Sequence, residues 1–403
     1  MRATWCRLQT FLFMAAGIVI TTSAAAAGVK NPMNAPDEIA WELFLQVNAN
    51  AKTSGNNSAL FKTWASDHDT FQLNPPAWPI KTVPLALKLP ALADALSRHK
   101  NNAIQVVSGG TTEQASEETR RNKEAYNYIV ANKLHLKSGL NSAFGTTINF
   151  PAASLEVKAN WYPVASTTDP KKSGIPGYLG KPADAGKEYH INIASDGKQY
   201  ALVAMHVISK QVPNWTWATF EHQNNLGRCD IIGCKDPFGA QTAALPPNQK
   251  ENQPYPACQK TPALEALFSR AKIDPAYKNY CLKGSQTDFT TATGLAIRLG
   301  NSVTESGFVA QASCMTCHSR AAFDSTGTAT TGGGFVNNIA PLGAPDPRWF
   351  VTPGNDFSPT APIVVGQADL KLIATQVDFV WSIPFCAVDD TVTPVADSRC
   401  KAK

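Results

Sequence analysis

The stretch Tyr200–Ser209, YALVAMHVIS, decides the fold class, because it is an almost continuous apolar run. Short runs of this kind that are rich in Val, Ile and aromatic residues are typical of a buried β-strand. Upstream, Ser154–Trp161 (SLEVKANW) alternates polar and apolar residues with the period of two that a strand requires. The two segments together predict a β-sheet near the middle of the chain.

Helical periodicity flanks these strands. Residues 34–50 carry Pro36 in a first turn followed by an apolar face, and residues 261–271 form a second short helical pattern. Residues 116–134 (SEETRRNKEAYNYIVANKL) form the clearest amphipathic pattern. Helices and strands in one chain, with no internal repeat, predict an α+β fold. Its large mixed α/β domain is expected to cover residues 28–285.

The chemistry is indicated by Cys314-Met315-Thr316-Cys317-His318, which has the C-x-x-C-H pattern of c-type haem attachment. Two thiols separated by two residues on a helical turn are placed to bond the two haem vinyl groups, and the adjacent imidazole becomes an iron ligand. With nine Cys and seven His in 403 residues, the pattern arises by chance roughly three times in a thousand such chains. A thioredoxin-like redox pair and half of a zinc site are the competing interpretations.

The C-terminal part is expected to frame this motif. A helix is predicted to lead into Cys314, and Gln367–Ile383 places apolar residues at helical spacing until Pro384 ends the pattern. Two helices around a C-x-x-C-H motif predict that residues 286–403 form a small, mostly helical, cytochrome c-like domain that binds one covalent haem c.

The first 27 residues have the pattern of a signal peptide. Arg2 and Arg7 precede an apolar run, Phe11–Ile20, and small residues follow it. The run is well short of the roughly 20 residues that span a bilayer, so we expect export to the periplasm and no stable membrane span after cleavage. The net charge of +5 includes both arginines, and the remainder is too small and scattered to favour nucleic-acid binding.

Six cysteines remain once Cys6 and the motif pair are set aside, an even number that predicts three disulfides in an exported protein. The short loop favours Cys386 with Cys400. The other four, Cys229, Cys234, Cys258 and Cys281, are expected to pair among themselves. Metal binding by Cys229 and Cys234 is the alternative.

The second axial ligand of the iron is not obvious, because no Met or His follows His318 in the sequence. Tyr200–Asn225 (YALVAMHVISKQVPNWTWATFEHQNN) concentrates the candidates, namely Met205, His206 and His222. Met205 and His206 would point to opposite faces of a strand. Glu221 or His222 beside an open iron position would suit acid–base chemistry. Each His is also compatible with an ordinary core position, as are Trp215 and Trp217. Lys158 is expected to pair with a carboxylate such as Glu221 or to point outward.

Several blocks of the chain resemble those of bacterial exported proteins of the cytochrome c family. The blocks are AWELFLQVN (40–48), KTWASDHDTF (62–71), EVKANWYPV (156–164), MHVISKQVPNWTWATFEHQNN (205–225), CLKGSQTDF (281–289), GNSVTES (300–306), CMTCHSRA (314–321) and DFVWSIPF (378–385). The resemblance implies haem c on Cys314, Cys317 and His318, and an N-terminal part that belongs with the haem. It names no substrate.

Three functions follow from these patterns. The first is a periplasmic monohaem c-type cytochrome that transfers single electrons to a redox partner protein. The second is an enzyme, a peroxidase-like haem c oxidoreductase whose distal site comes from residues 200–225. The third is a non-enzymatic sensor of a gas or another small ligand.

Overall fold

The computed structural model describes residues 30–51, 58–81, 87, 115–195, 197–248, 252–306, 308–330, 342–353, 370–392 and 400. The described residues from Asn31 onward belong to one compact unit. The predicted signal peptide, residues 1–27, lies outside the described residues. Within those residues, no helix has the length and apolar character needed to cross a membrane.

Both strands and helices are present, which confirms the α+β class. The strands are β1 (Ala65–Ser66), β2 (Ser116–Arg121), β3 (Leu155–Pro163), β4 (Ile191–Ile193), β5 (Gln199–Ser209), β6 (Thr216–His222), β7 (Cys234–Lys235), β8 (Ala244–Leu245), β9 (Tyr280–Gln286), β10 (Ala322–Phe323), β11 (Ala329–Thr330), β12 (Val351–Pro353), β13 (Leu370–Leu372) and β14 (Thr375–Gln376). The helices are α1 (Pro36–Val47), α2 (Asp67–Thr70), α3 (Lys123–Ala131), α4 (Lys137–Ala143), α5 (Pro262–Arg270), α6 (Cys314–His318) and α7 (Ser382–Cys386).

A seven-stranded antiparallel sheet forms the centre of the fold. Its strand order is β1-β2-β3-β5-β6-β9, and β4 pairs with β5 outside this path. The two strands predicted from sequence, β3 and β5, are confirmed and lie side by side. The helices predicted over residues 34–50 and 261–271 are confirmed as α1 and α5.

The helix predicted over residues 116–134 is only partly correct. Ser116–Arg121 form β2, which pairs with β1 and β3, and the helix is confined to Lys123–Ala131. The charged residues that resemble a solvated helical face are buried in the sheet. Arg121, for example, pairs with Asp67 and Glu156. Tertiary ion pairing therefore overrides the local helical pattern.

The two faces of the central sheet differ in chemistry, since side chains alternate along each strand. On one face, the core face, Val157, Met205 and Phe220 pack in an apolar cluster that also contains α1 residues. On the other, the polar face, the register aligns Lys158 with His206 and His206 with Thr219. A second apolar cluster joins one end of the polar face to the residues around the C-x-x-C-H motif.

The C-terminal part is less helical than expected. The helix predicted over Gln367–Ile383 is wrong, because Leu370–Leu372 and Thr375–Gln376 are strands. Pro384 lies inside the five-residue helix α7 and does not end a long one. Helices do not dominate the described residues beyond 286, where short strands and turns alternate. The strand β9 ends at Gln286, next to the predicted boundary between domains, which stays a prediction.

The predicted disulfides are confirmed, with Cys386 bonded to Cys400 and the remaining four paired among themselves. The bonds are Cys229–Cys234, Cys258–Cys281 and Cys386–Cys400. Metal binding by Cys229 and Cys234 is therefore wrong, because a disulfide consumes both thiols.

Candidate functional site

The C-x-x-C-H motif forms the whole of helix α6, and the expectation of a longer helix leading into Cys314 is wrong. A 3-10 turn, Val309–Gln311, precedes the motif. The hydroxyl of Ser313 caps α6 by accepting the Thr316 amide at 3.4 Å, and it also accepts Gln286 Nε2 from β9 at 3.1 Å. The motif is thus fixed to the edge of the central sheet through Ser313, the residue that precedes Cys314.

Both motif cysteines are free thiols, whereas the other six described cysteines are cross-linked. Cys314 is buried and Cys317 is half-buried. Burial raises the pKa of each thiol above its ordinary value. A thioredoxin-like redox pair requires the opposite shift, because the thiolate is the nucleophile. The site therefore favours neutral thiols over a thioredoxin-like pair.

His318 is held in one tautomer by the backbone. Its Nδ1 lies 2.8 Å from the carbonyl oxygen of Phe379. Because a carbonyl oxygen only accepts, Nδ1 carries the proton and Nε2 keeps its lone pair. Burial lowers the pKa of His318 to about 4, so the ring is neutral. A neutral imidazole with one nitrogen bonded to a carbonyl is the usual state of a metal-ligating histidine.

Aromatic contacts enclose the motif. The Trp217 ring lies 4.6 Å from the His318 ring, between centroids, and 5.9 Å from the Phe379 ring. A third aromatic side chain contacts the motif, because Trp381 Nε1 donates to the Cys317 carbonyl at 3.1 Å. The core position expected for Trp217 is consistent with these contacts, and Trp215 is fully buried in the same cluster.

His206 is the only one of the three distal candidates that lies on the polar face. Its Nε2 lies 3.0 Å from Asn301 Nδ2, 3.1 Å from Thr304 Oγ1 and 3.5 Å from Glu305 Oε1. Burial lowers the pKa of His206 well below its ordinary value, and the nearby positive charge of Lys158 lowers it further. His206 is therefore a neutral, buried imidazole in the folded protein.

The other two distal candidates are placed elsewhere. Met205 is fully buried on the core face, where its sulfur accepts Asn48 Nδ2 at 3.6 Å. The His222 ring stacks on Tyr189 with 3.6 Å between centroids, and its Nε2 lies 3.1 Å from the Glu188 carbonyl oxygen. The structure therefore does not bring Met205 or His222 to the face that carries Trp217 and His206.

The charged residues singled out in the sequence are paired on the polar face. Lys158 Nζ lies 3.5 Å from Glu117 Oε2, so it does pair with a carboxylate, but not with Glu221. Glu221 instead lies 3.6 Å from Lys283 Nζ and accepts the Ser302 amide at 2.9 Å. Neither residue adjoins the motif directly.

Sequence reasoning missed two residues beside His206. Asn301 bridges His206 and Thr219 through Nδ2. Burial raises the pKa of Glu305 to about 7. The Glu305 carboxylate accepts a hydrogen bond from the backbone N–H of Asn301 at 2.6 Å. Both lie in GNSVTES (300–306), one of the blocks that resemble the exported cytochrome c family.

The arrangement fits covalent haem on three counts: two free thiols on one helical turn, an imidazole oriented by a carbonyl, and aromatic side chains around them. Among the described residues, His318 Nε2 has no hydrogen-bond partner in the protein. The same part of the chain holds no cluster of three or more His, Cys, Asp or Glu side chains that suits a metal ion. Comparison of the chain with protein-family models, with curated proteins and with solved structures finds no match.

Proposed function

We propose that the protein is a periplasmic monohaem c-type cytochrome that transfers single electrons to a redox partner protein, and that it belongs with the exported cytochrome c family it resembles. In this proposal the sulfurs of Cys314 and Cys317 hold the porphyrin through thioether bonds, and His318 Nε2 is the proximal ligand. The bound haem supplies reversible one-electron chemistry at iron. Residues around the motif would then form a cytochrome c-like haem site.

The observation that carries the proposal is the state of His318. The Phe379 carbonyl holds the proton on Nδ1 and leaves Nε2 available, which is the arrangement that a haem-ligating histidine needs. Burial keeps the ring neutral, so no proton competes with iron at neutral pH. The adjacent free thiols supply the second requirement.

The compartment supports the same proposal. Three disulfides are stable in an oxidising environment, and the N-terminal pattern predicts export. In such a compartment two close thiols would also be exposed to oxidation. Their attachment to a porphyrin would explain why this pair differs from the other six described cysteines.

Redox titration of the exported protein tests this function. We expect a covalent haem, detected as a pyridine haemochrome, and a reversible spectral change with the slope of a one-electron couple. Cys314→Ala with Cys317→Ala should abolish the covalent haem. The matched control is Cys229→Ala with Cys234→Ala, which removes a disulfide. This double variant should still carry the covalent haem. A covalent haem that persists in the first double variant would overturn the proposal.

One observation favours a second function, a peroxidase-like haem oxidoreductase. His206, Asn301 and Glu305 form a buried polar group on the face that carries Trp217, and a distal imidazole with a carboxylate suits acid–base work on a bound peroxide. In that case His206→Gln would lower peroxide turnover by about 10²-fold or more. The control His222→Gln should leave turnover unchanged. Absence of turnover in the wild-type haem protein would remove this candidate.

A further inference from the structure

A tight turn presents the carbonyl that binds His318. Val380 N donates to the Val377 carbonyl at 3.1 Å, and the two residues between them, Asp378 and Phe379, have φ of 49° and 72°. Two central residues in the left-handed region define a type I′ turn. Asp tolerates this region, but a bulky aromatic residue rarely adopts it. Something outside the turn must therefore stabilise the conformation that aims the Phe379 carbonyl.

A buried ion pair supplies that stabilisation. Lys210 Nζ donates to Asp378 Oδ1 at 2.6 Å and to the Pro213 carbonyl at 2.7 Å. Asp378 Oδ2 accepts the Phe150 amide at 2.7 Å. Both charged side chains are over nine-tenths buried. The turn is thereby tied to the loop that follows β5 and to the segment that precedes β3.

We infer that Lys210 and Asp378 are positioning residues for His318, and that their ion pair fixes the Phe379 carbonyl at Nδ1 and so sets the electron donation of Nε2. This inference rests on the proposed function, in which Nε2 binds haem iron. A strong hydrogen bond to Nδ1 raises the basicity of the other nitrogen. A more basic ligand stabilises ferric over ferrous iron, so the ion pair lowers the reduction potential.

The test compares variants that already carry haem. Asp378→Asn keeps a side chain that tolerates the left-handed region and can accept the Phe150 amide, but it removes the charge. Lys210→Met keeps the apolar stem of the lysine. Combining the two leaves no unpaired buried charge, which keeps the test valid if either single variant fails to fold. Lys137→Met is the control, because it removes a half-buried ion pair, with Asp389 at 3.0 Å, that involves neither Lys210 nor Asp378.

We expect the reduction potential to rise in the Lys210 and Asp378 variants and to stay at the wild-type value in Lys137→Met. A tenfold loss of preference for ferric iron corresponds to a rise of ~59 mV for one electron, and loss of a hydrogen-bond partner of a ligating histidine typically changes metal affinity by about tenfold or more. Haem-loaded variants with an unchanged potential would refute the positioning role. Wild-type protein without covalent haem would instead refute the proposed function, so the two failures are distinguishable.

Discussion

His206 and His222 lie in adjacent strands of one sheet, yet they belong to opposite faces. The alternation of side chains predicts that Met205 and His206 diverge, but it cannot say which face meets the motif. Helix α1 decides this, because its apolar residues cover the face of Met205. His206 is consequently left on the face where Asn301 and Glu305 lie.

The burial of His222 should make stability depend on pH. Burial lowers the pKa of His222 to about 3 from 6.5, so between these values the unfolded chain binds a proton that the folded chain does not. This contribution to stability is fully present above about pH 6.5 and is lost as the pH falls towards 3. His222→Gln removes this pH-dependent contribution, because glutamine does not titrate, while its side-chain amide can still donate to the Glu188 carbonyl.

We therefore expect the free energy of unfolding of His222→Gln to fall less steeply between about pH 7 and pH 4 than that of the wild type. One pKa unit corresponds to about 1.4 kcal/mol, and about 2.5 pH units separate the unfolded pKa of 6.5 from pH 4, so the difference should be on the order of 3 kcal/mol. Urea denaturation across this range measures it. The control is His68→Gln, whose side chain is exposed. Equal slopes for His222→Gln and wild type would contradict the assignment.

At the scale of the element, β2 shows what local pattern cannot predict. Its sequence, SEETRR, continues into the helical pattern of α3, although Asn122 between them caps the helix by accepting the Ala125 amide at 3.2 Å. The deciding contacts are distant in sequence, since Arg121 reaches Asp67, Thr70 and Glu156. The predicted C-terminal helix is wrong for the same reason. Leu370 and Val377 fit a helical spacing, but in the structure β13 pairs with β12 and β14 pairs with β10.

The buried pairing of β2 predicts a large mutational effect. Arg121→Met would leave the carboxylates of Asp67 and Glu156 buried without their partner. Removal of one member of a buried ion pair costs about 3–5 kcal/mol. We expect chemical denaturation to show a loss of that size.

Lys123→Met provides the comparison, because Lys123 is an exposed cation only two residues away. Its effect on the free energy of unfolding should stay within about 0.5 kcal/mol. Similar losses in the two variants would mean that the charges of β2 are solvated and that the strand is wrongly assigned.

At the scale of the whole molecule, the candidate site is assembled from distant parts of the chain. Residues 206–217 supply His206, Lys210 and Trp217, while Cys314–His318 and Asp378–Trp381 supply the motif and the residues that hold it. The motif and the Cys386–Cys400 disulfide are predictable from spacing, but spacing does not choose the partners of the other four cysteines. The role of Phe379 was not, because a backbone carbonyl leaves no trace in the sequence.

The most direct test is tandem mass spectrometry of proteolytic peptides from the mature protein, produced in a periplasm with haem-attachment machinery. The account predicts one peptide containing residues 314–318 that carries a single haem mass, with both motif sulfurs resistant to alkylation. It also predicts the other six mature cysteines as three disulfide-linked pairs. Recovery of Cys314 and Cys317 as free thiols, or bonded to each other, would contradict it.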